Sequence, residues 1–341
     1  MRHAVSILIC TRNRAAHLRA TLAAFAELDV PACVSAELLV IDNGSPDQTA
    51  EVVEHFSDSC PRLKPRYLFV GTPGKSRALN VGIAASVGEV LMFTDDDVRP
   101  PSNWVEGMCQ PILDGDADAT TGSTKPASHL ERPWMGPVHR GYLACPLPPP
   151  RNSPLRRDAP FLGANMAFAR HVLSRVPAFD ERLGPGALGF AEDDLFGLQL
   201  GEAGFRKLNV IGCEPEHHFD PSRLTRAAFV ERARKQGRCE GYIRYHWLHE
   251  DIELPRLRML RRWIRLQKSR WNNKGGWQYE EGLPEWEFPL ITEVSRFQQY
   301  LIERGKPRRY AVRRGLAVDN MSNGPPILFQ NCIEKKDVIK K

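Results

Sequence analysis

Short apolar runs and stripes of apolar residues spaced three and four apart alternate along the first hundred residues. Residues 5–10 (Val-Ser-Ile-Leu-Ile-Cys) form a run that predicts a buried strand. Residues 15–28 follow with Leu18, Leu22 and Phe25 at helical spacing. Residues 38–41 predict a second strand, ending at Asp42-Asn43-Gly44. Ser45, Pro46 and Gln48 then read as a helix start, with Ser as N-cap, Pro at the first helical position and Gln three after the cap. Ala50, Val53 and Phe56 give that helix an apolar face. Residues 67–70, 75–86 and 90–94 predict a third strand, a third helix and a fourth strand. Alternation of this kind implies an α/β fold, a mostly parallel sheet with helices on both faces. Ligands of such sheets collect at the carboxyl ends of the strands.

Residues 126–160 break the pattern with nine prolines and predict a long loop near the site. Regular pattern resumes over 161–168, 192–200 and 207–213, and from about residue 226 the chain reads as helical. The expected organisation is a catalytic unit over 1–225, with halves at about 1–100 and 101–225, followed by a mainly helical region over 226–341.

Composition narrows the class. A hydrophobic share of 42% and a charged share of 26% are those of an ordinary folded domain. The net charge of +6 is uneven. Residues 1–150 hold 13 basic and 17 acidic side chains, −4, which leaves 34 and 24, +10, for 151–341. The basic excess points to anionic surfaces or substrates in the C-terminal part; no nucleic-acid partner is expected. Eight scattered cysteines without a C-x-x-C pair, Cys10 among them in an apolar run, predict reduced structural thiols. With no signal-like or spanning apolar stretch, the expected location is cytoplasmic.

The chemistry concentrates in two acidic clusters. Asp95, Asp96 and Asp97 follow the fourth strand directly. Like charges this close need a cation, and no lysine adjoins them in sequence. Hard oxygen ligands point to Mn2+ or Mg2+, with remaining positions left to water and phosphate. Asp42, at another strand end, is either a turn residue or an acceptor for a nucleobase imide or ribose hydroxyl. Glu192, Asp193 and Asp194 sit at a helix start, where the helix dipole favours anions; the catalytic alternative is a general base. The glycine-rich approach 184–189 allows a ligand close to the backbone. One of His217 and His218 could complete a metal site. Gly74-Lys75-Ser76 imitates the end of a P-loop, but Phe69 stands where the motif needs glycine, so a P-loop NTPase is a remote alternative.

Taken in order, these stretches resemble family 2 glycosyltransferases of the GT-A fold. The matching residues are 5–14, 40–45, 74–82, Thr94-Asp95-Asp96-Asp97, 163–168, 178–184, Glu192-Asp193 and His217 with Arg223-Leu224-Thr225. The resemblance implies a Rossmann-like sheet and transfer from a nucleotide-diphosphate sugar, a UDP-sugar by preference. Transfer would go with inversion to a glycan or lipid-linked acceptor, in glycan or polysaccharide synthesis. It implies that Thr11, Arg14, Asp42, Arg77, Asp95 and Asp96 border the nucleotide. Gly163, Asn165 and Glu192 would border the donor sugar or acceptor. Asp97, Asp95 and His217 would hold the metal, and Asp193 would be the base. Asp194 leaves that last assignment open by one residue, and His218 does the same for His217. The absence of Gln-x-x-Arg-Trp argues against a processive synthase. A non-catalytic sugar-nucleotide binder of the same fold is the rival reading.

Residues 256–274 carry eight basic side chains, Arg256, Arg258, Arg261, Arg262, Arg265, Lys268, Arg270 and Lys274, and no acid. On a helical wheel Leu257, Leu260, Trp263, Ile264 and Trp271 gather opposite Arg258, Arg261, Arg262, Arg265 and Lys268. That pattern fits either a helix lying on an anionic membrane surface, at the inner face of the membrane, or a packed helix with a solvated basic face. In the second case Glu280, Glu281, Glu285 and Glu287 would pair with it.

Overall fold

The computed structural model describes residues 2–273, 279–311 and 313. Lys274, Cys332 and the stretch 314–341 of the expected helical region lie outside the described residues. The strands are β1 (His3–Thr11), β2 (Val34–Asp42), β3 (Pro65–Phe69), β4 (Val90–Asp95), β5 (Val98–Arg99), β6 (Ala119–Gly122), β7 (Lys125–Pro126), β8 (Ser153–Pro154), β9 (Asn165–Ala169), β10 (Lys207–Val210) and β11 (Glu216–His217). The helices are α1 (Ala15–Ala26), α2 (Thr49–Ser59), α3 (Lys75–Ala85), α4 (Trp104–Leu113), α5 (Pro137–Tyr142), α6 (Glu192–Glu202), α7 (Arg226–His246), α8 (Pro255–Asn272) and α9 (Glu287–Glu303).

The main sheet runs β3-β2-β1-β4-β9-β6-β10-β8. β3, β2, β1 and β4 are mutually parallel. β9 runs against β4 and β6, and β8 against β10. A second small sheet, β5-β11-β7, sits beside it. The expected mostly parallel sheet with helices on both faces is therefore present, with a C-terminal helical extension.

The continuous apolar run of β1 is explained by burial on both faces. Alternate residues go to different cores: Val5, Ile7 and Ile9 pack with α1, α2 and α4 on one side. Leu8 packs with α3 and α6 on the other. The same division holds in β2, where Leu38 and Val40 face one core and Leu39 and Ile41 the other. Two further cores join the helices after residue 225 to the segments before it. One combines Ala127, Leu143 and Phe219 with Phe229, Leu283 and Phe288. The other combines Leu183 and Leu195 with Tyr242, Trp247 and Tyr310.

Local expectations needed three corrections. The helix after Asp42 starts at Thr49, not at Ser45. The Ser45 hydroxyl oxygen accepts from the Asn13 N–H at 2.9 Å instead of from a following helix N–H, and the Ser45 N–H closes a turn on Asp42 Oδ1 at 2.8 Å. The proline-rich stretch is not structureless: it contains β7, α5 and β8. Cys10 is half-buried, because the end of β1 opens onto a cavity. All seven described cysteines are free thiols. Among the described residues no helix is long and apolar enough to cross a membrane.

Candidate active site

Register decides what the site contains. Thr11 pairs with Asp42 across β1 and β2, and Cys10 pairs with Asp95 across β1 and β4. Three strand ends therefore finish level, and their polar side chains meet at one edge of the sheet. A cavity of about 800 Å³ opens there. Its lining includes Thr11, Arg14, Asn43, Lys75, Asp95, Asp96, Asp97, Glu192, Asp193, Asp194, His217 and Arg223. α5 adds Val138 and Tyr142, α7 adds Arg232, Gln236 and Glu240, and the glycine-rich loop adds Pro185 and Gly186. Gly186 needs to be glycine: its φ is +91°, and a Cβ would stand 3.1 Å from Gly74 Cα.

The first acidic cluster is wrapped in cations. Arg14 bridges Asp96 Oδ1 at 2.9 Å and Asp97 Oδ2 at 2.7 Å. Lys75 Nζ donates to Asp95 Oδ1 at 2.6 Å and lies 3.7 Å from Glu192. The cluster thus has a lysine after all, brought from the N-terminus of α3 rather than from neighbouring sequence. His217 Nε2 is 3.3 Å from Asp97 Oδ1, and Arg223 is 3.8 Å from Asp97 Oδ2. Burial works against the Asp97 charge, yet His217, Arg14 and Arg223 together hold its carboxyl well below the usual range. Asp97 in turn raises His217 to about 8 against the opposing pull of burial. Asp96, which accepts from Thr11 Oγ1 at 2.7 Å, is pushed up to about 7 by burial, against Arg14 and with the neighbouring Asp97 charge.

The second cluster has little of this. Asp193 accepts from the Gly163 N–H at 2.5 Å and the Asp194 N–H at 3.0 Å. Burial raises its pKa, while Lys75 and those backbone donors pull the other way. Asp194 has no such counterweight: burial, then Asp193, Glu192 and Glu240, push it well above the carboxylate range. Glu192 is raised to about 7 by burial and by Asp193, against Lys75.

Other expected site residues are placed elsewhere. Arg77 pairs with Glu181 at 2.9 Å and is not among the cavity-lining residues. Asp42 is buried, with Oδ1 taken by Ser45 and Oδ2 by the Tyr67 hydroxyl at 2.6 Å. Asn165 is buried too, accepting from Trp104 Nε1 and donating to Ser123 O. Gly163 reaches the site only through its N–H, since a Cβ there would meet Asp193 Oδ2 at 2.8 Å. His218 turns to Glu216, which leaves His217 as the imidazole at the cavity. Lys75, Asn43 and Arg223 line the cavity without a role that the sequence reading assigns to them. Asn43 accepts from the Gly74 N–H and donates to Val70 O and Thr72 O, joining the β2 turn to the start of α3.

Among the described residues no three or more His, Cys, Asp or Glu side chains gather as a ready metal cage. Two donors do converge: Asp97 Oδ1 and His217 Nε2, 3.3 Å apart, are spaced about as two adjacent ligands of one octahedral ion. That suits a cation that takes one or two protein ligands and completes its shell with phosphate and water.

The sequence model of the family described as glycosyl transferase family 2 matches residues 6–181, more than half of the chain. The chain belongs to glycosyl transferase family 2. Within the family it is 27% identical to glycosyltransferase AglE of Haloferax volcanii over 264 residues, covering 76% of this chain and 79% of that one. The fold is shared with mannosyltransferase PcManGT from Pyrobaculum calidifontis, solved in complex with GDP-Man and Mn2+. There the TM-score is 0.53 at 16% identity, over 88% of this chain and 70% of that one. It is shared also with the 1–349 fragment of S. aureus TarS in complex with UDP, at TM-score 0.50 and 17% identity, over 92% and 94% of the chains. This family 2 glycosyltransferase thus has the GT-A architecture, with both acidic clusters facing one cavity.

Proposed function

We propose that this glycosyltransferase moves a sugar from a nucleotide-diphosphate donor, a UDP-sugar by preference, to an acceptor hydroxyl with inversion at the anomeric carbon. The observation that carries the reading is the pair of acidic clusters across one cavity, one wrapped in cations and the other almost bare. Solved relatives of the same fold hold GDP-Man with Mn2+ and UDP, which supports a nucleotide-linked donor.

In this reading Arg14, Lys75 and Arg223 supply positive charge for the diphosphate, and Thr11 and Asp96 position Arg14. Asp42, with both oxygens committed to Ser45 and Tyr67, shapes the turn beneath the nucleobase. Asp97 and His217 would hold a divalent cation, with Asp95 beside them. Bound there, the ion would neutralise charge developing on the leaving diphosphate. Asp193 is the base rather than Asp194. Burial raises both carboxyls, but two backbone N–H groups and the Lys75 charge favour the ionised form of Asp193, whereas the neighbouring acids push Asp194 further up. The acceptor O–H proton passes to Asp193 as the new bond from oxygen to the anomeric carbon forms. The bond from that carbon to the diphosphate oxygen breaks, and its electron pair leaves with the diphosphate. The cavity contributes alignment of the two partners.

A panel of nucleotide sugars screened by thermal shift, with and without Mn2+, tests the donor. The expected result is a metal-dependent shift for one nucleotide class, followed by slow donor hydrolysis without acceptor. No shift with any nucleotide sugar would remove the reading. Product anomeric configuration by NMR tests inversion, and retention would refute it.

A further inference from the structure

α8 (Pro255–Asn272) packs on α9 through one narrow side. Pro255 and Leu266 are its buried residues, with Met259, Arg262 and Arg270 half-buried beside them. These positions are spaced three, four or eleven apart and share a face. α9 supplies acids to that face: Glu293 pairs with Arg262 at 2.9 Å, and Glu287 pairs with Arg270. The sequence wheel therefore needs correcting. Arg262 does not belong to the outer basic side, because the Glu293 carboxylate holds it against α9. Nor do the later acids cover the rest, since Glu281 pairs with Arg132 and Glu285 lies 3.8 Å from His139.

The outward pole of α8 is apolar. Leu257, Leu260 and Ile264, at spacings of three and four, lie opposite the packed face. They are 40%, 49% and 40% exposed, and Trp263 beside them is 49% exposed. Folding leaves this stripe in water, although a helix normally turns its apolar side to the core. Along one flank run Arg258, Arg261, Arg265 and Lys268, all exposed and with no ion pair among the described residues. A contiguous apolar stripe edged by basic side chains is unusual on a free surface.

We propose that α8 docks this chain on a bilayer of anionic phospholipids, its axis along the surface. The apolar stripe would enter the boundary between headgroups and acyl chains, and the arginine flank would contact lipid phosphates. Charge decides between occupants. A neutral apolar partner would leave four cations beside the interface without counter-ions, whereas lipid phosphates lie at the depth the flank reaches. The inference goes beyond the donor chemistry and stands without it. If both hold, the surface would bring the cavity to membrane-anchored acceptors.

Co-sedimentation of the full chain with vesicles tests it. Vesicles containing phosphatidylglycerol should bind the chain at low salt, binding should weaken as salt is added, and phosphatidylcholine vesicles should bind far less. Changing Arg258, Arg261 and Arg265 together to Gln should lower the partition coefficient roughly a hundredfold. The pair Leu260→Ser and Ile264→Ser should lower it at least about tenfold. Every substituted side chain is exposed, and an unchanged melting temperature confirms that each variant is folded. No binding to anionic vesicles at low salt overturns the proposal, as does wild-type binding by both variants. So does dimerisation without vesicles that Leu260→Ser and Ile264→Ser abolish, which would make a second copy the occupant.

Discussion

The two acidic clusters face each other across one cavity and differ in what surrounds them. Asp97 is within salt-bridge distance of Arg14, His217 and Arg223, and its proton is held off well below the carboxylate range. Asp194, at a helix start with no cation in contact among the described residues, is driven the other way. Both lie among apolar and acidic neighbours, so burial alone does not separate them. Cation supply does, and it comes from distant segments: the loop after β1, the first turn of α3 and the stretch after β11. The contrast teaches that Asp97, at the heart of the first cluster, is built to stay charged. In the second, two amides and one lysine oppose the rise that burial imposes on one carboxyl, Asp193. Charge at the first suits a cation and a diphosphate; a poised carboxylate at the second suits proton removal.

The sharpest way to break the comparison is inside the second cluster. Asp193→Asn should lower transfer by about a hundred- to ten-thousandfold, the range for losing a general base, with donor binding nearly unchanged. Asp194→Asn replaces a carboxyl whose ionisation is disfavoured by burial and by the Asp193, Glu192 and Glu240 charges, so transfer should stay within about threefold of wild type. Steady-state transfer assays on both variants, with donor affinity by calorimetry, read the difference. The reverse pattern would move the base by one residue.

The first cluster is tested by Asp97→Asn. Its effect should fall on Mn2+-dependent UDP affinity, at least about tenfold by calorimetry. Equal affinity with Mn2+ in both proteins would take Asp97 out of the metal site.

A smaller effect separates the clusters by pH. Glu192 has a folded-state pKa of about 7 against an ordinary 4.5, raised by burial and Asp193. The folded protein therefore binds more protons than the unfolded chain between those values. The stability that this proton uptake provides is complete below 4.5 and is lost as pH rises through 7. At its full extent the loss is roughly 3 kcal/mol. Glu192→Gln cannot titrate, so its melting temperature should fall less than that of wild type between pH 5 and pH 8. Parallel curves for the two proteins would show that Glu192 is ionised at no unusual cost.

Much of this was legible in the sequence, for a physical reason. Strands buried on both faces must be continuously apolar, so β1, β2 and β4 announced themselves, and parallel order placed their carboxyl ends together. Of the residues the sequence points to, Thr11, Arg14, Asp95, Asp96, Asp97, Glu192, Asp193 and His217 line one cavity. What failed depended on where long side chains reach. Arg77 sits two residues from Lys75 on α3, and helical geometry sends the two in different directions, Arg77 to Glu181 and Lys75 to Asp95. The Gly74-Lys75-Ser76 triplet resembles the end of a phosphate loop, whereas the lysine serves as a counter-ion to Asp95. Asn165 and Asp42 are held by Trp104, Ser123, Ser45 and Tyr67, and apart from Ser45 no local pattern connects these partners to them. The outward apolar stripe of α8 was visible as a stripe, but its direction depended on acids of α9.

The smallest expected effect concerns a third acid, one whose side-chain donors among the described residues are neutral hydroxyls. Asp180 Oδ2 accepts from the Tyr242 hydroxyl at 2.6 Å and from the Tyr310 hydroxyl at 2.5 Å, and Oδ1 accepts from the Arg182 N–H. Both tyrosines are buried and come from the region after residue 225, so the carboxylate joins that region to the catalytic segments. Burial and the Asp180 charge raise both phenols, which keeps them protonated and donating. Tyr310→Phe removes one donor and leaves the other on the same oxygen, at a cost of about 1–2 kcal/mol. Tyr242→Phe should cost about the same. The double variant should cost more than the sum, because the second loss leaves Oδ2 with no side-chain donor. Thermal melts of the three variants measure the coupling. Simple additivity would mean that water replaces each phenol independently, and that the distinction between acids held by cations and acids held by neutral donors does not extend to Asp180.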